Sequence, residues 1–387
     1  MKQKLVNFLK YNKIAYSVYF YLMRFFIIIL KLLTKPDDRL ILFNSFAGRK
    51  FDDSPRAIYE VMRRDRRFKG YNLVWAFHQP EKYENVNKIK TDGFTYFRTA
   101  LAARVWITNS SVERGLDFVG KHTLYFNTWH GTPIKKMGTD IVSGNKSFGS
   151  KGRNHFDVMM SQGHFETDIF SKSFGVNNDK FLEVGLPRND ILANYTDEDR
   201  KKIRENLNIS EDKTVILYAP TFREYEKDEN FGVIAVPPVN LKKWERELSN
   251  YVLLFRAHYE VSRVMDIQEN DFVRNMTNYP NLNDLYIAAD ILISDYSSVF
   301  FDYSITEKPM IHFTYDYDKY SSKRGMYFDI RDYINGGSTE DIIIEIIKKM
   351  DYKKESLRTV AFRNKFVNFY GHATAEAVDY IAKQLGL

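Results

Sequence analysis

The sequence predicts an α/β protein built from two Rossmann-like domains that face each other across a cleft. The chain has 387 residues, which is long for one domain and comfortable for two. From Arg39 onward, strand-like and helix-like stretches alternate, as is typical of βαβ units around a parallel sheet. A charged, helix-prone stretch at residues 196–208 divides the alternation into two series. We therefore predict one domain over residues 39–200 and another over residues 201–387, with the last helix able to pack back on the first domain.

Short apolar runs rich in β-branched and aromatic residues indicate the strands of both series. Strands are predicted at residues 40–43, 73–77, 105–108, 123–126, 158–161 and 181–184, and then at 215–218, 252–255, 291–294 and 310–313. Helices are predicted at residues 56–64, 99–104, 166–173, 241–248, 282–289, 340–350 and 374–384.

The first 38 residues differ from the rest in charge and composition. Residues 1–35 contain seven basic side chains and no acidic one, whereas the remaining 50 basic residues balance 50 acidic ones. The net charge of +7 therefore belongs to this segment, and a nucleic-acid partner is not expected. The segment is also apolar and aromatic, which favours a helix lying on an anionic membrane surface. An ordinary core helix and a membrane span are the alternatives, and no small-residue cleavage site indicates a signal peptide.

Cofactor chemistry has little support in the sequence. The chain has no cysteine, which excludes disulfides and thiolate metal sites and fits a reducing compartment. It also lacks a Walker loop, a G-x-G-x-x-G motif and an H-E-x-x-H motif. Asp316 and Asp318 form an Asp-x-Asp pair in a predicted loop rich in tyrosine, which is a weak candidate for a metal site. We expect no protein-bound cofactor, and Mg²⁺ accompanying a substrate has no support in the sequence.

Polar side chains follow several predicted strands, at the edge of a parallel sheet where ligands bind. His130 lies directly after the strand at 123–126 and is followed by Gly131, Thr132 and Pro133. A histidine here can titrate near neutrality, beside a helix amino terminus that attracts phosphate. Glycine permits close backbone approach, and threonine offers a hydroxyl and an N–H. His130 is therefore a candidate general base or phosphate ligand, and a core histidine is the structural alternative.

The second series repeats this pattern after three strands. Thr221, Phe222 and Arg223 follow the first of these strands, and Arg256 and His258 follow the next. Arginine and histidine two residues apart share one face of an extended chain. The guanidinium of arginine can bind two phosphate oxygens at once through parallel N–H groups. The alternative is an arginine paired with an acid and a histidine that caps a helix.

Ser297 and Ser298 follow the third strand and precede an apolar run, which indicates the start of a helix with exposed N–H groups. An anion fits at such a terminus, although a simple N-cap explains the serines equally well. Asp302 comes one turn later and can reach a ribose hydroxyl. Arg188, in the run Gly-Leu-Pro-Arg-Asn-Asp at residues 185–190, is a further strand-end candidate.

Together these motifs resemble the CDP-glycerol glycerophosphotransferases of teichoic acid synthesis, of the primase and polymerase types. The resemblance rests on residues 129–133 (WHGTP), 185–190 (GLPRND), 219–223 (APTFR), 256–258 (RAH) and 294–298 (SDYSS), with residues 43–46 and 54–56 near the start of the first domain. Jointly these motifs are highly specific, and the resemblance covers the chain from about residue 39 to its end. Phe222 departs from the tryptophan that many relatives carry there.

The resemblance implies a GT-B architecture and peripheral attachment to the cytoplasmic face of a bacterial plasma membrane. It implies that His130 and His258 are catalytic, with His258 near the donor phosphates. It further implies a CDP-glycerol site; the predicted substrate-binding residues are Gly131, Thr132, Pro133, Arg188, Thr221, Phe222, Arg223, Arg256, Ser297, Ser298 and Asp302. The predicted reaction moves glycerol 3-phosphate from CDP-glycerol to a hydroxyl of a lipid-linked saccharide or glycerol phosphate, and CMP leaves.

Other functions fit the same scaffold. CDP-ribitol or a nucleotide sugar are alternative donors, and a non-catalytic nucleotide-binding protein is an alternative of a different class. The identity of the acceptor, the number of units added and the oligomeric state do not follow from the sequence.

Overall fold

The computed structural model describes residues 12–141, 155–221, 223, 227–228, 232–233, 236–257 and 259–387. These residues form two compact units. Unit 1 contains the described residues of Met1–His130 and Gly144–Arg188 together with His372–Leu387, and unit 2 contains those of Gly131–Ser143 and Asn189–Gly371. Each unit is therefore assembled from separate segments of the chain.

Unit 1 is built on a seven-stranded parallel sheet with the strand order β3-β2-β1-β4-β5-β6-β7. Its strands are β1 (Asp37–Asn44), β2 (Asn72–Phe77), β3 (Lys88–Lys90), β4 (Ala103–Thr108), β5 (Leu124–Asn127), β6 (Val158–Ser161) and β7 (Phe181–Glu183). Its helices are α1 (Lys13–Leu33), α2 (Asp53–Met62), α3 (Phe94–Ala102) and α4 (His164–Phe174), followed much later in the chain by α14 (Ala373–Leu385). The strand order reverses between β1 and β4, and ligands bind at such a reversal in doubly wound folds.

Unit 2 contains a six-stranded parallel sheet with the order β12-β11-β8-β13-β14-β15, which is the Rossmann order 3-2-1-4-5-6. Its strands are β8 (Thr214–Ala219), β11 (Tyr251–Phe255), β12 (Val273–Asn275), β13 (Ile291–Ser294), β14 (Met310–Phe313) and β15 (Asn335–Gly337), with the short antiparallel pair β9 (Lys227–Asp228) and β10 (Gly232–Val233). Its helices are α5 (Asp190–Asn194), α6 (Asp197–Asn206), α7 (Leu241–Glu247), α8 (Tyr259–Met265), α9 (Leu282–Ala288), α10 (Val299–Ser304), α11 (Tyr317–Arg324), α12 (Glu340–Lys348) and α13 (Tyr352–Phe366). The reversal in this sheet lies between β8 and β13.

Both sheets are buried on their two faces, as parallel sheets require. In β4 every residue except Arg104 is buried, and β13 is buried along its length. These strands therefore consist of nearly continuous apolar residues, and this is why the sequence revealed them. The predicted α/β fold with parallel sheets is confirmed.

Helix α1 is capped at its amino terminus by Asn12, whose side chain accepts hydrogen bonds from the N–H groups of Ile14 and Ala15. One face packs on α3, where Phe26 contacts Phe94 and Phe97, while the other face is exposed. The 20-residue stretch Ile14–Leu33 has a mean hydropathy of 1.7 and is only 11% buried. By length and composition it is sufficient to cross a bilayer. The exposure is opposite to that of an ordinary core helix.

The predicted elements differ from the structure at boundaries and edges and by whole helices, because α5, α8, α11 and the 15-residue α13 were not predicted. The helix predicted at residues 99–104 instead spans Phe94–Ala102, because β4 begins directly at Ala103. Three edge strands of three residues each, β3, β12 and β15, were not predicted. The charged stretch at 196–208 forms α6, which starts with a capping box between Thr196 and Asp199 and belongs to unit 2.

Candidate active site

His130 lies three residues beyond the carboxyl end of β5, the neighbour of β4 in unit 1. The sheet reverses its order between β4 and β1, so the loops after β1, β4 and β5 share the edge where ligands bind. The structure therefore places His130 at the predicted edge of the sheet.

The imidazole of His130 is held by the backbone of the loop after β4. Its Nδ1 lies 2.7 Å from the carbonyl oxygen of Asn109. A carbonyl oxygen can only accept, so Nδ1 carries the hydrogen and donates it. In the neutral ring the lone pair then belongs to Nε2, and this tautomer provides a proton acceptor that is not used in holding the ring.

Aromatic rings surround His130 although the residue itself is exposed. The ring of Trp129 stacks on it at 4.3 Å between centroids, and the ring of Phe46 lies at 5.9 Å. Desolvation by the surrounding protein lowers the pKa of His130 below its ordinary value, against the opposing influence of the Asn109 carbonyl and Asp53. His130 is both solvent-accessible and partly desolvated, because neighbouring rings cover part of the imidazole and the remainder is accessible to solvent. The lowered pKa therefore favours the neutral form of the ring at neutral pH.

The residues after His130 do not form the predicted helix. Gly131, Thr132 and Pro133 are buried and irregular, and the next helical turn is the short 3₁₀ segment Gly138–Asp140. The prediction that His130 lies before a helix amino terminus is therefore wrong. The segment belongs to unit 2 and pairs within that unit, since the N–H of Tyr327 donates to the carbonyl of Ile134 at 2.8 Å. This pairing removes the opportunity for helical hydrogen bonds.

Arg188 lies in unit 1 and forms an ion pair with Asp53, the first residue of α2, at 3.2 Å. Both side chains are largely buried, and the N–H of Arg188 donates to the hydroxyl of Ser54 at 3.3 Å. Asp53 and Arg188 also act electrostatically on His130, with opposite signs. The pair thus belongs to the surroundings of the imidazole, and Asp53 was not predicted from the sequence.

In unit 2, the ends of β8 and β13 flank the reversal of the sheet. The N–H of Thr221 donates to Asp295 at 2.8 Å, which ties the two strand ends together. The hydroxyl oxygen of Thr221 is buried and has no hydrogen-bond partner among the described residues. Ser298 is the N-cap of α10 but makes no capping bond with its side chain, while Ser297 accepts a long hydrogen bond from Val299. The predicted helix start after β13 is confirmed.

Arg223 is the most enclosed charge of this edge, with 1% of its side chain exposed. Its guanidinium is 2.9 Å from Asp295 and 2.8 Å from Asp316. Burial alone would lower the pKa of Arg223, but these two carboxylates raise it above its ordinary value. The rings of Tyr296, Tyr315 and Tyr320 lie about it at 5.1, 4.9 and 5.0 Å. The structure thus gives Arg223 a protein-internal ion-pair network, which joins the ends of β8, β13 and β14.

Arg256 and Asp302 also contact other protein groups. Arg256 donates to the carbonyls of Met276 and Tyr279 at 2.8 and 2.7 Å and so holds the loop after β12. Asp302 in α10 is buried and accepts a 2.7 Å hydrogen bond from Asn189. Their roles toward a substrate remain predictions.

Two predicted residues, Phe222 and His258, lie outside the described residues. Among the residues that the structure does describe, no group of three or more histidine, aspartate or glutamate side chains is placed to hold a metal ion. Asp316 of the Asp-x-Asp pair accepts from Arg223 and from the hydroxyl of Tyr296, and Asp318 lies inside α11 rather than in a loop.

Sequence reasoning missed three buried asparagines at strand ends, of which Asn109 and Asn127 make hydrogen bonds to the turns around His130. Asn44, Asn109 and Asn127 are completely buried, and each lies at or directly beyond the end of β1, β4 or β5. A detectable pattern was available, because three neighbouring strands each end in a Thr or Asn and a small polar residue at residues 44–45, 108–110 and 127–128.

Comparison with known proteins identifies what this arrangement is similar to. The sequence model of the family described as "CDP-Glycerol:Poly(glycerophosphate) glycerophosphotransferase" matches residues 25–383. A teichoic acid glycerol-phosphate transferase of Staphylococcus aureus is 34% identical over 349 residues, which are 83% of this chain and 86% of that protein. A teichoic acid poly(glycerol phosphate) polymerase of Staphylococcus epidermidis is 33% identical over 316 residues, 77% of this chain and 43% of that longer protein.

The solved structure of the wall teichoic acid polymerase TagF is similar along almost the entire chain. It superposes with a TM-score of 0.83 at 30% identity, covering 93% of both chains. The similarity to TagF confirms the GT-B type of the fold.

Proposed function

This chain belongs to the CDP-glycerol glycerophosphotransferase family and is a transferase of teichoic acid synthesis that uses CDP-glycerol; we propose that its acceptor hydroxyl is carried by a lipid-linked saccharide or glycerol phosphate. The acceptor oxygen attacks the phosphorus that bears glycerol. A new P–O bond forms, the bond to the bridging oxygen of the diphosphate breaks, and CMP leaves with that bond's electron pair. The product is the acceptor extended by one glycerol phosphate.

In this proposal His130 takes the proton of the acceptor hydroxyl at Nε2. The supporting observation is the 2.7 Å contact between Nδ1 and the Asn109 carbonyl, which leaves the Nε2 lone pair available. The same hydrogen bond stabilises the imidazolium that forms when the proton arrives. The lowered pKa of His130 keeps the ring in its neutral form before the reaction.

Residues of unit 2 would bind the donor. Thr221 offers a hydroxyl without a partner among the described residues, and Ser297 and Ser298 lie at the amino terminus of α10. Phosphoryl transfer depends mainly on positioning and on stabilisation of oxygen charge, and these donor groups suit both. Arg256 and His258 remain predicted contributors to charge stabilisation, and Arg223 contributes through the network that holds the strand ends.

The donor and acceptor are tested together. Purified protein is incubated with CDP-glycerol, CDP-ribitol or common nucleotide sugars, and with a lipid-linked disaccharide that carries or lacks one glycerol phosphate. We expect CMP release and a product larger by glycerol phosphate only with CDP-glycerol. Turnover confined to CDP-ribitol or to a nucleotide sugar would reassign the donor, and nucleotide binding without turnover would indicate a binding protein.

As an enzyme of teichoic acid synthesis the protein is associated with the cell envelope. We propose that α1 attaches it peripherally to the cytoplasmic face of the plasma membrane. The apolar side chains of Leu22 and Phe25 are 64% and 65% exposed, and the segment's basic charge suits anionic lipid. Attachment raises the local concentration of a lipid-linked acceptor.

This attachment is tested by vesicle sedimentation of two matched variants. Leu22→Asp/Phe25→Asp should release the protein from phosphatidylglycerol vesicles and reduce activity on lipid-linked acceptor more than on a water-soluble analogue. The control is Leu357→Asp in α13, where an equally apolar side chain is 62% exposed. Equal losses on both acceptors would remove this role for α1, and resistance of the wild type to alkaline carbonate extraction would indicate a span.

A further inference from the structure

Two sharp turns beside His130 contain residues with left-handed backbone conformation. Trp129, directly before His130, has φ 50°, and the consecutive residues Phe46 and Ala47 have φ 46° and 57°. Residues other than glycine rarely adopt this backbone conformation, and residues with bulky side chains adopt it least often. Such backbone strain persists only where surrounding contacts enforce it, and it clusters at functional sites.

The turn at Trp129 is enforced by Asn127. The side-chain oxygen of Asn127 accepts from the N–H of Trp129 at 2.7 Å, which is the hydrogen bond of an Asx turn. The amide nitrogen of the same side chain donates to the carbonyl of Ser110 at 2.8 Å. Asn127 is completely buried, so both bonds are shielded from water. One side chain therefore ties the turn that carries His130 to the loop after β4.

The loop after β4 in turn holds the second strained turn. The side-chain oxygen of Asn109 accepts from the N–H of Phe46 at 2.7 Å, and the hydroxyl of Ser110 accepts from the N–H of Ala47 at 2.9 Å. The backbone carbonyl of Asn109 is the acceptor for His130 Nδ1. The loop that carries this carbonyl is thus fixed by its bonds to Asn127 and to the turn at residues 46–47. The same bonds fix Phe46, whose ring lies beside His130.

We propose that Asn127 is a positioning residue for the transfer reaction. It fixes the turn at Trp129 so that His130 meets the Asn109 carbonyl through Nδ1 and presents Nε2 as the base. This inference rests on the proposed role of His130. Neither asparagine need touch the substrate, and the effect on chemistry is exerted through the orientation and tautomer of the ring.

The test compares two substitutions of nearly equal volume. Asn127→Ala removes both hydrogen bonds, whereas Asn127→Ser keeps an oxygen that can accept from the N–H two residues later. Because both leave a similar cavity, a difference between them reports the acceptor bond. If Asn127→Ala does not fold, Asn127→Val and Asn127→Thr give the same comparison with larger, isosteric side chains.

The direct measurement is the tautomer of His130 in free protein at pH 8. Long-range ¹H–¹⁵N spectra of histidine-labelled protein resolve the tautomers, and the His130→Asn spectrum identifies the signal among the eight histidines. We expect the Nδ1–H form in wild type and Asn127→Ser, and the Nε2–H form or a mixture in Asn127→Ala. The kcat of Asn127→Ala should fall about 10- to 100-fold, because misplacement of a catalytic group by about 1 Å has effects of this size. The KM for CDP-glycerol should stay within about twofold, since the lesion leaves unit 2 unchanged.

Asn270→Ala is the matched control, because Asn270 accepts from the N–H of Phe272, two residues later, at the opposite end of a strand in unit 2. It should change neither the His130 tautomer nor kcat. The proposal is overturned if Asn127→Ala keeps the wild-type tautomer, whatever its activity, or if the Ala and Ser variants lose kcat equally. Full turnover in His130→Ala would instead reject the proposed base, and the tautomer comparison would still decide whether Asn127 positions the ring.

Discussion

The two strand-end regions of this protein use different chemistry. In unit 1 His130 is itself held by neutral groups, namely a backbone carbonyl, a buried asparagine and an aromatic ring, with the Arg188–Asp53 ion pair in its surroundings. In unit 2 the corresponding edge is held by buried charges, with Arg223 between Asp295 and Asp316. Neutral hydrogen-bond partners leave the imidazole able to take a proton in the proposed reaction, whereas the charged network ties the ends of β8, β13 and β14 together. The same sheet architecture thus supports one edge where a histidine is held by neutral groups and another edge that is held by buried ion pairs.

Removal of the imidazole gives the largest expected effect. His130→Ala should lower kcat by about 10²- to 10⁴-fold, the range for loss of a general base. Binding of CDP-glycerol, measured by calorimetry, should change little because the proposed donor-binding groups lie in unit 2. His164→Ala, at the exposed start of α4, is the control and should retain wild-type kcat. A variant that loses donor binding but keeps turnover at saturation would move His130 into the donor site.

The charged network should matter first for stability. Arg223→Met leaves Asp295 and Asp316 without their cation, and removal of one partner of a buried ion pair destabilises by about 3–5 kcal/mol. Arg331→Met is the control, because Arg331 pairs with Asp329 while 44% of its side chain is exposed, and it should cost about 1 kcal/mol or less. Urea unfolding followed by fluorescence measures both. Equal stability of the two variants would contradict the distinction between the edges.

The hydroxyl of Thr221 provides a test of donor binding. Unlike the loss of Arg223, its removal should weaken binding of the donor without lowering the stability of the folded protein. Thr221→Val should raise the KM for CDP-glycerol about fivefold to thirtyfold, equivalent to about 1–2 kcal/mol for a lost hydrogen bond. The folded protein should lose no stability, because the buried oxygen has no partner among the described residues. Thr277→Val removes a second hydroxyl of this kind and serves as control for KM. A destabilised Thr221→Val with unchanged KM would make the hydroxyl structural.

The smallest expected effect is the pH dependence of the base. A base works when unprotonated, so activity is present above its pKa and is lost as the pH falls through it. Since desolvation lowers the pKa of His130, the acid limb of kcat/KM should lie below pH 6.5. The decrease from pH 7.5 to 6.5 should then be less than about twofold. A limb centred above pH 6.5 would show that the ring is not desolvated in the free enzyme.

The sequence predicted those parts of the fold that are buried on both faces. The central strands β1, β4, β8 and β13 are nearly continuous apolar runs, and each was located within a few residues. The edge strands β3, β12 and β15 were missed because three residues such as Lys-Ile-Lys or Asn-Gly-Gly carry no apolar pattern. Their pairing is decided by neighbouring strands rather than by their own composition.

For the site, the sequence identified side chains with titratable or phosphate-binding groups but not those that orient them. His130 was located because histidine after a strand is distinctive. Asn109 and Asn127 belong to a pattern of polar strand ends that the sequence contains, but the left-handed conformations at Phe46 and Trp129 that they hold do not follow from that pattern. The helix predicted after His130 failed for a related reason, since residues 134–137 pair with a distant segment of unit 2.

The last described helix, α14, has a consequence for how the protein is made. Ala373, Ala377, Val378, Ile381 and Ala382 all contribute to the core of unit 1, and Asp379 pairs with Arg67 at 2.7 Å. Ribosomes deliver these residues only after every strand of unit 2 has been synthesised. The apolar surface of unit 1 that α14 covers therefore stays exposed until synthesis of the chain is nearly complete, and the core of unit 1 is completed only after unit 2 has been made.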